Sequence, residues 1–588
     1  MNWNSHQFEM LDWAIIVIGV ALVAWFVCRA IRRSKAAKVG GETSDDYFLS
    51  GRNETWFTIG AAIFAANIGS EHLVGLAGAG AETGLGMAHW EMQGWMILIL
   101  GWFFVPFYEH SRIFTMPEFL SRRFTRNTSS ALSLITLVSY VLTKVSVTAI
   151  TGGIFFEGLL GLPFWYGAIG LVLLTGVFTI FGGMKGVMTI SAIQTPILII
   201  GAFLVLFLGL HALGSGSIVD GWNAMLAHAQ TLNKGVDGTS YGINHLMHFE
   251  ESDPLYGRFP GFGVFIGAAI IGFWYWCTDQ HIVQRVLAAR NMNEARKGTI
   301  FAGYLKILPV FMFLIPGMVA AALYARPDFA ALMTNAEGEM VTDEAFSAMV
   351  RYVLPVGVKG IVTIGFISAL VTSLAAHFNS SATLFTIDFY KHYHPEASEQ
   401  KLVWMGRMAT LAVVILGVAW IPVMQMMGKS LYGILQEMQS LIAPAIAAVF
   451  ILGVFTKRVT PKAGEIGLIV GFLIGMGRLA IMAIFPAKVG SPDFLDYPTF
   501  IQSFLGINWL WFEIYLLVFT MLLMISISFF TKQASEEKLK GITFLTQSPE
   551  QKAATRASWG KMDVITSLGV VLLSLIHISE PTRRTPIS

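Results

Sequence analysis

The stretch IGAAIFAANIGSEHLVGLAGAG, residues 59–80, is long and apolar enough to enter a bilayer, yet Asn67, Gly69, Ser70, Glu71 and His72 occupy its middle. A carboxylate at that depth costs several kcal/mol, so such residues face a cavity or a partner. The small residues around them let the helix open, and the freed backbone groups then need new partners. A broken membrane helix with polar side chains near the midplane is the way secondary transporters build binding sites. A second chemical feature is the Ser/Thr-rich helix IVTIGFISALVTSLAAHFNSSATLFTIDFY, in which Ala369, Thr372 and Ser373 stand at i, i+3 and i+4 and share one face. Two neutral hydroxyls with released carbonyls suit a small hard cation that must leave again. The competing reading, commoner for such residues, is that the hydroxyls bond their own i−4 carbonyls or join helices.

Glu91 in AHWEMQGW and Lys306 in GYLKILP place opposite charges in apolar segments, and Gln436 lies in YGILQEMQ. Mixed donors and acceptors with an aromatic face suit a neutral, multiply hydroxylated ligand, and Trp274, Tyr275 and Trp276 supply aromatic faces. Equally, Glu91 and Lys306 read as a buried ion pair that fixes helix packing. Lys144 and Glu157 also lie within a span, with no role evident from their surroundings. Asn379-Ser380-Ser381 matches a glycosylation sequon but falls inside a predicted helix and is set aside.

The elements that must hold these groups are membrane helices. Charged residues are 13% of the chain, against about 25% in soluble domains, and hydrophobic residues are 55% with a mean hydropathy of +0.63. An all-α integral membrane protein follows. A window of about 20 apolar residues predicts spans near 12–31, 55–80, 84–107, 131–158, 163–182, 187–212, 259–281, 299–325, 353–388, 403–427, 430–456, 463–486, 504–530 and 563–578, about fourteen transmembrane helices.

Loop charge sets their orientation. Arg112, Arg122, Arg123 and Arg126 fall on one side, with Lys185, Arg285, Arg290, Arg296, Lys297, Lys391, Lys401, Lys457, Arg458, Lys462 and the stretch from Lys532 to Lys561. The opposite loops, 213–258 and 326–352, hold Lys234, Arg258, Arg326 and Arg351 against many acids. The first set is read as cytoplasmic, which puts both chain ends outside. The first span, followed by Arg29, Arg32, Arg33, Lys35 and Lys38, is a retained helix rather than a cleaved signal.

Spans two to six and seven to eleven form two groups of five, so a second copy of the unit starts from the opposite face. Both groups open on an interrupted helix. The second is 259–281, where Gly272 precedes the aromatic cluster and the polar run Thr278-Asp279-Gln280. Position-matched interruptions point to a substrate site; two unrelated kinks are the alternative. The organisation is therefore 1–54, an extra helix and cytoplasmic loop; 55–212, the first repeat; 213–258, an external loop; 259–458, the second repeat; and 459–588, further helices. No phosphate-cradling GxxxxGK[ST], HExxH or CxxC pair occurs, so neither an enzyme nor an ATP-driven pump is expected.

Several long stretches together resemble the sodium/solute symporter family, in its sodium–glucose cotransporter branch of bacterial type. They are FAANIGSEHLVGLAGAG at 64–80, FTMPEFLSRRF at 114–124, GFWYWCTDQHIVQRVLAA at 272–289, GYLKILP at 303–309, AHFNSSATLFTIDFYK at 376–391 and QSLIAPAIAAVFILGVFTKR at 439–458. The resemblance implies a core of two inverted five-helix repeats, sodium as coupling ion and no organic cofactor. It implies a sodium site of the carbonyls of Ala65, Ile68 and Ala369 with the hydroxyls of Thr372 and Ser373. It places a monosaccharide, glucose- or galactose-like, on His72, Glu91, Lys306 and Gln436, with Tyr275 as an aromatic inner gate and Asn67 linking the two sites. Gly272 and Gly94 depart from the polar residues of the family, with Gln93 adjacent to the second. Ser191 and Thr148 stand where relatives carry acids, so one sodium per sugar is expected. The same fold moving inositol, sialic acid or an amino acid, and a membrane sensor or channel, are the alternatives. The tail SLIHISEPTRRTPIS reads as translated sequencing-adapter sequence, with the natural chain expected to continue into a full last helix.

Overall fold

The computed structural model describes residues 7–36, 41–425, 431–487, 489 and 491–575. The ends of three predicted spans (426–427, 430 and 576–578), Lys38 and all but the first residues of the adapter-like tail lie outside these. Among the described residues the chain is a set of helices joined by turns, with isolated β-bridges rather than strands.

Among the described residues nine helices are long and apolar enough to cross a membrane alone, and three sharply bent pairs bring the number to twelve. The sequence reading of about fourteen differs at two places. Phe164–Leu213 runs on as one 50-residue helix where two spans, 163–182 and 187–212, are expected. Straight, it would be about 75 Å long, well beyond a hydrocarbon core of about 30 Å. It bends at Gly183, whose φ of 51° and ψ of −156° are open to glycine. The pair Trp56–Asn67 and Glu71–Ser111, bent by 63°, likewise carries two expected spans. The expected loops also contain helix: Ile218–Thr231, capped by Ser217 on the Asp220 amide, and Ala345–Val353.

The helices that position the site are α1 (Trp56–Asn67), α2 (Ala77–Thr83), α3 (Arg126–Leu160), α4 (Phe164–Leu213), α5 (Phe262–Thr278), α6 (Gln280–Leu287), α7 (Met292–Leu323), α8 (Val358–Tyr393) and α9 (Leu431–Phe455). The most apolar parts of α7 and α8 are 89% buried, against 11% for Met10–Arg33 and 33% for Trp509–Phe530. The first two form the centre, and the others turn Leu22, Trp25, Phe519 and Leu522 outward, as lipid-facing helices do.

α1 ends at Asn67, with Ile68 extended (φ −85°, ψ 105°), and the chain resumes as a π-helical turn, Glu71–Leu76, leading into α2. The His72 amide donates to Gly69 O rather than to Ile68 O, and the Leu73 amide, also on Gly69 O, makes the first i−4 bond after the break. Ser70 secures the break by donating to Thr148 O of α3 at 2.8 Å, and Thr151 donates to the Ser70 hydroxyl. The second break comes later than Gly272. α5 is helical through Gly272, turns as a π-helix over Trp274–Thr278 and breaks at Asp279, 41° from α6. Tyr108 fixes this turn by donating to Cys277 O at 2.9 Å.

α2 is held against α7 by glycine contacts. A Cβ on Gly80 would strike Leu314 O, and one on Gly317 would strike Ala77 O. Small residues permit this approach where apolar solvent offers no drive to associate. Leucine at Gly80 or Gly317 is expected to destabilise the purified protein by about 1–3 kcal/mol through overpacking. Leucine at Gly170, where nothing lies within 4 Å of a Cβ, is the neutral control, and thermal unfolding in detergent reads all three.

Candidate functional site

The break after α1 opens on a central cavity of about 40 Å³. Asn67, His72, Glu91, Tyr275, Lys306 and Gln436 all line it, so the structure brings together every residue assigned to the solute by the sequence reading. Its size admits a few waters; a six-membered ring with its hydroxyls requires the walls to part.

Charge is paired across the cavity. Lys306 Nζ lies 2.5 Å from Glu91 Oε2, and His72 Nε2 lies 3.5 Å from Glu91 Oε1. Asn67 Nδ2 is 3.3 Å from His72 Nε2, which continues the network back to the break. Glu91 and Lys306 therefore form a buried ion pair, and that pair faces the cavity. Lys306 reaches it because α7 loosens into a turn just before Pro309, which has no amide proton to continue the ladder. Lys306 Nζ also sits 5.3 Å from the Trp276 ring centroid.

Tyr275 is on the π-helical turn of α5, half-buried, with its ring edge-on to Trp276 at 4.9 Å. Lys144 Nζ lies 4.5 Å from the Tyr275 ring centroid. Lys144 and Glu71 also line the cavity; the sequence gave Lys144 no role, and Glu71 was expected to face a cavity or a partner without being assigned to the solute. The signal was present in both cases, an ionisable group inside a span, but the direction each side chain takes depends on how α3 meets the break. Glu71 Oε2 has no hydrogen-bond partner among the described residues. Glu157, also unassigned, is absent from this lining.

The glycine departures resolve together. Gln93 fills the space beside Gly272: a Cβ there would lie 2.5 Å from Gln93 Oε1. Gln93 donates to Ala268 O at 2.5 Å and accepts from Trp276 Nε1 at 3.1 Å. The polar group missing from α5 is thus replaced from the neighbouring segment. Gly94 points elsewhere, its Cβ position meeting the backbone of Gly303 and Ser574 Oγ at 2.8 Å, so it is a packing glycine rather than a lost ligand.

The five residues assigned to sodium lie where α1 meets α8. Ala65, Ile68, Ala369, Thr372 and Ser373 are completely buried. Ser373 Oγ donates across the contact to Ala66 O at 3.4 Å and is 2.6 Å from the Cβ position of Gly69. Thr372 Oγ1 donates within its helix to Ser368 O at 2.8 Å and Ala369 O at 3.0 Å. The local reading of these hydroxyls holds for Thr372 and the interhelical one for Ser373. A hydroxyl that donates keeps its acceptor lone pairs, so neither bond removes an oxygen from a cation. Ser191 Oγ turns back to Val187 O at 2.7 Å.

This constellation belongs to a recognisable class. The family model described as the sodium:solute symporter family matches residues 47–471. Mouse sodium/myo-inositol cotransporter 2 is 35% identical over 555 residues, 92% of this chain and 80% of that protein. Sheep sodium/glucose cotransporter 1 is 35% identical over 553 residues, 92% and 82% of the two chains. A solved structure of a Na+-coupled sialic acid symporter, substrate-bound and outward-open, superposes with a TM-score of 0.70 at 18% identity over 90% of this chain and 100% of its own. The chain belongs to the sodium:solute symporter family. It is a multi-pass membrane protein, and sodium is its coupling ion.

The ion pair makes a stability prediction. Lys306→Met leaves Glu91 buried without its cation and is expected to cost about 3–5 kcal/mol. The double variant Glu91→Leu/Lys306→Met is expected to recover most of that loss. Thermal unfolding of the single and double variants checks it, and a double no more stable than the single contradicts the assignment.

Proposed function

We propose that this protein imports a neutral cyclic polyol, a glucose- or galactose-like monosaccharide, together with one sodium ion by alternating access. The observation that carries the reading is the shared break: the candidate sodium residues Ala65, Ile68 and Ser373 and the Asn67–His72–Glu91–Lys306 network both converge on the segment 65–72. The network offers donors (Lys306, Asn67) and acceptors (Glu91, Gln436) with no net charge of the ion pair, as hydroxyls require. Tyr275 and Trp276 offer faces to a ring.

In this mechanism sodium enters first and braces α1 against α8, holding the break in one geometry. The solute then binds without bearing the cost of ordering the pocket, which is positive coupling between the two ligands. Tyr275 covers the solute from the cytoplasmic side. Rocking of one helix bundle against the other opens the pocket inward and separates the sodium ligands, so sodium leaves first. Bends of 63° and 41° at the first helices of the two five-helix groups support an inverted repeat. A membrane potential of about 100 mV supplies about 2.3 kcal/mol per charge, and a tenfold gradient adds about 1.4 kcal/mol. One ion therefore sustains roughly a few hundredfold accumulation. Ser191 and Thr148 bring no carboxylate for a second. Loop charges support a plasma or inner membrane location with both ends of the chain outside the cytoplasm.

A second reading, myo-inositol as solute, draws on the sodium/myo-inositol relatives. Both solutes are rings of hydroxyls and fit the same donor set.

Sodium-dependent counterflow in proteoliposomes, with labelled hexoses and myo-inositol in competition, tests the proposal. Thr372→Ala is expected to raise the half-saturating sodium about fivefold with the sugar KM at saturating sodium unchanged. Gln436→Ala is expected to raise the sugar KM by a similar factor, the worth of one hydrogen bond of about 1 kcal/mol. If glucose, galactose and myo-inositol all fail to compete, or both variants lose both properties equally, the reading is wrong.

A further inference from the structure

A group of buried polar side chains lies between the sodium-facing helix and the break of α5, outside the cavity lining. His377, one turn beyond Ser373 on α8, donates from Nδ1 to Ser373 O at 3.0 Å. Its ring stacks on His281 of α6, with centroids 4.5 Å apart and planes inclined by 28°. His281 meets Tyr275 edge-on at 4.9 Å. Its Nδ1 lies 3.2 Å from Asp279, the residue at which α5 breaks. Tyr140 of α3 closes the group: its hydroxyl donates to the Asp279 carboxylate and accepts from the His281 amide at 3.1 Å, and its ring is edge-on to His377 at 5.3 Å. Arg285 donates to His281 O. His281 is completely buried and His377 is 1% exposed.

We propose that the stacked His281–His377 pair is a positioning device that ties occupancy of the sodium site to closure of the inner gate. It rests on the sodium and gate assignments above. The two rings are the direct contact between the residues that serve them: His377 is bonded to Ser373, and His281 touches Tyr275 and the hinge at Asp279. Each ring is fixed at one edge through Nδ1, and the Nε2 atoms have no hydrogen-bond partner among the described residues. Beside Ser373 and Tyr275, α8 and α6 meet through the stack, with no hydrogen bond joining the two rings; one turn further on, Ser380 Oγ of α8 donates to Gln284 Oε1 of α6 at 3.0 Å and Gln284 Nε2 donates to Thr383 Oγ1 at 2.8 Å, a polar tie that reaches neither Ser373 nor Tyr275. When sodium leaves and α8 shifts from α1, Ser373 O carries the His377 ring with it. The stack opens, His281 loses its backing, and Tyr275 is released to swing from the cavity. With sodium bound the stack is complete and the gate is held. Neither ring touches sodium or solute; both act through Ser373 and Tyr275.

The test compares His377→Leu, His281→Leu and His281→Phe in proteoliposomes. Each is measured for half-saturating sodium and for the ratio of sodium-driven uptake to sodium-free sugar leak. Both leucine variants are expected to raise half-saturating sodium about two- to tenfold, the range of one aromatic contact, and to increase the leak, with sugar KM at saturating sodium unchanged. His281→Phe keeps a ring against His377 and is expected to stay within about twofold of the parent. Leucine variants with unaltered sodium dependence overturn the proposal. So does a phenylalanine variant that behaves like leucine, whether through uncoupling or through loss of the fold. Thr372→Ala in parallel keeps the two levels apart: a normal sodium response there dismisses the sodium site, whereas normal coupling in the histidine variants dismisses the stack alone.

Discussion

The structure depends on a helix that stops inside the membrane. Between Ile68 and Ser70 the backbone leaves the helical ladder in a region where lipid offers no hydrogen bonds, so each released group needs a protein partner or a ligand. Ser70 anchors the break to α3 through Thr148 O, and Ser373 reaches in from α8 to Ala66 O. Gly80 and Gly317 clamp the outer half against α7. These contacts come from three different helices, so any relative movement of the helices is felt at the break. That is the physical basis for joining ion binding to conformational change at one point in the chain.

The ionisable groups around the cavity obey the same constraint. Lys306 and His72 each lie within 3.5 Å of Glu91 in an interior where an isolated charge would be costly. Placing them on separate segments, the Ala88–Glu91 turn, the Lys306 turn and the π-helical turn after the break, makes the pair an interhelical tie. It also makes the pair a polar wall that a solute can share. The same side chains tie the helices and line the cavity, so the sequence alone left the two readings level.

Much of the architecture was legible because apolar length is a property of the chain itself. The predicted span near 131–158 falls within helix Arg126–Leu160, and those near 299–325, 353–388 and 463–486 overlap most of helices Met292–Leu323, Val358–Tyr393 and Pro461–Ile484. The six cavity residues named for a solute came together because strong motifs fix their place on the helices. What escaped was set by side-chain direction. Lys144 was visible as a charge in a span, but that it lies over Tyr275 follows from the rotation of α3. Gly94 was read as a lost polar contact because spacing puts it a turn from Glu91; the unwound backbone at Met92–Gln93 turns Gln93 to the cavity instead. The second break was expected within 259–281, with Gly272 and the polar run Thr278-Asp279-Gln280 as its marks, and lies at Asp279, since glycine permits a break while the polar run supplies the partners that sustain one.

The central claim is that a cation held at this break drives solute transport. The most direct measurement is uphill accumulation of labelled hexose by purified protein in liposomes, under equal inward gradients of sodium, potassium or choline. Concentration of the sugar well above equilibrium in sodium alone, abolished when the sodium gradient is collapsed, is the predicted result. Equal accumulation in choline or potassium contradicts it.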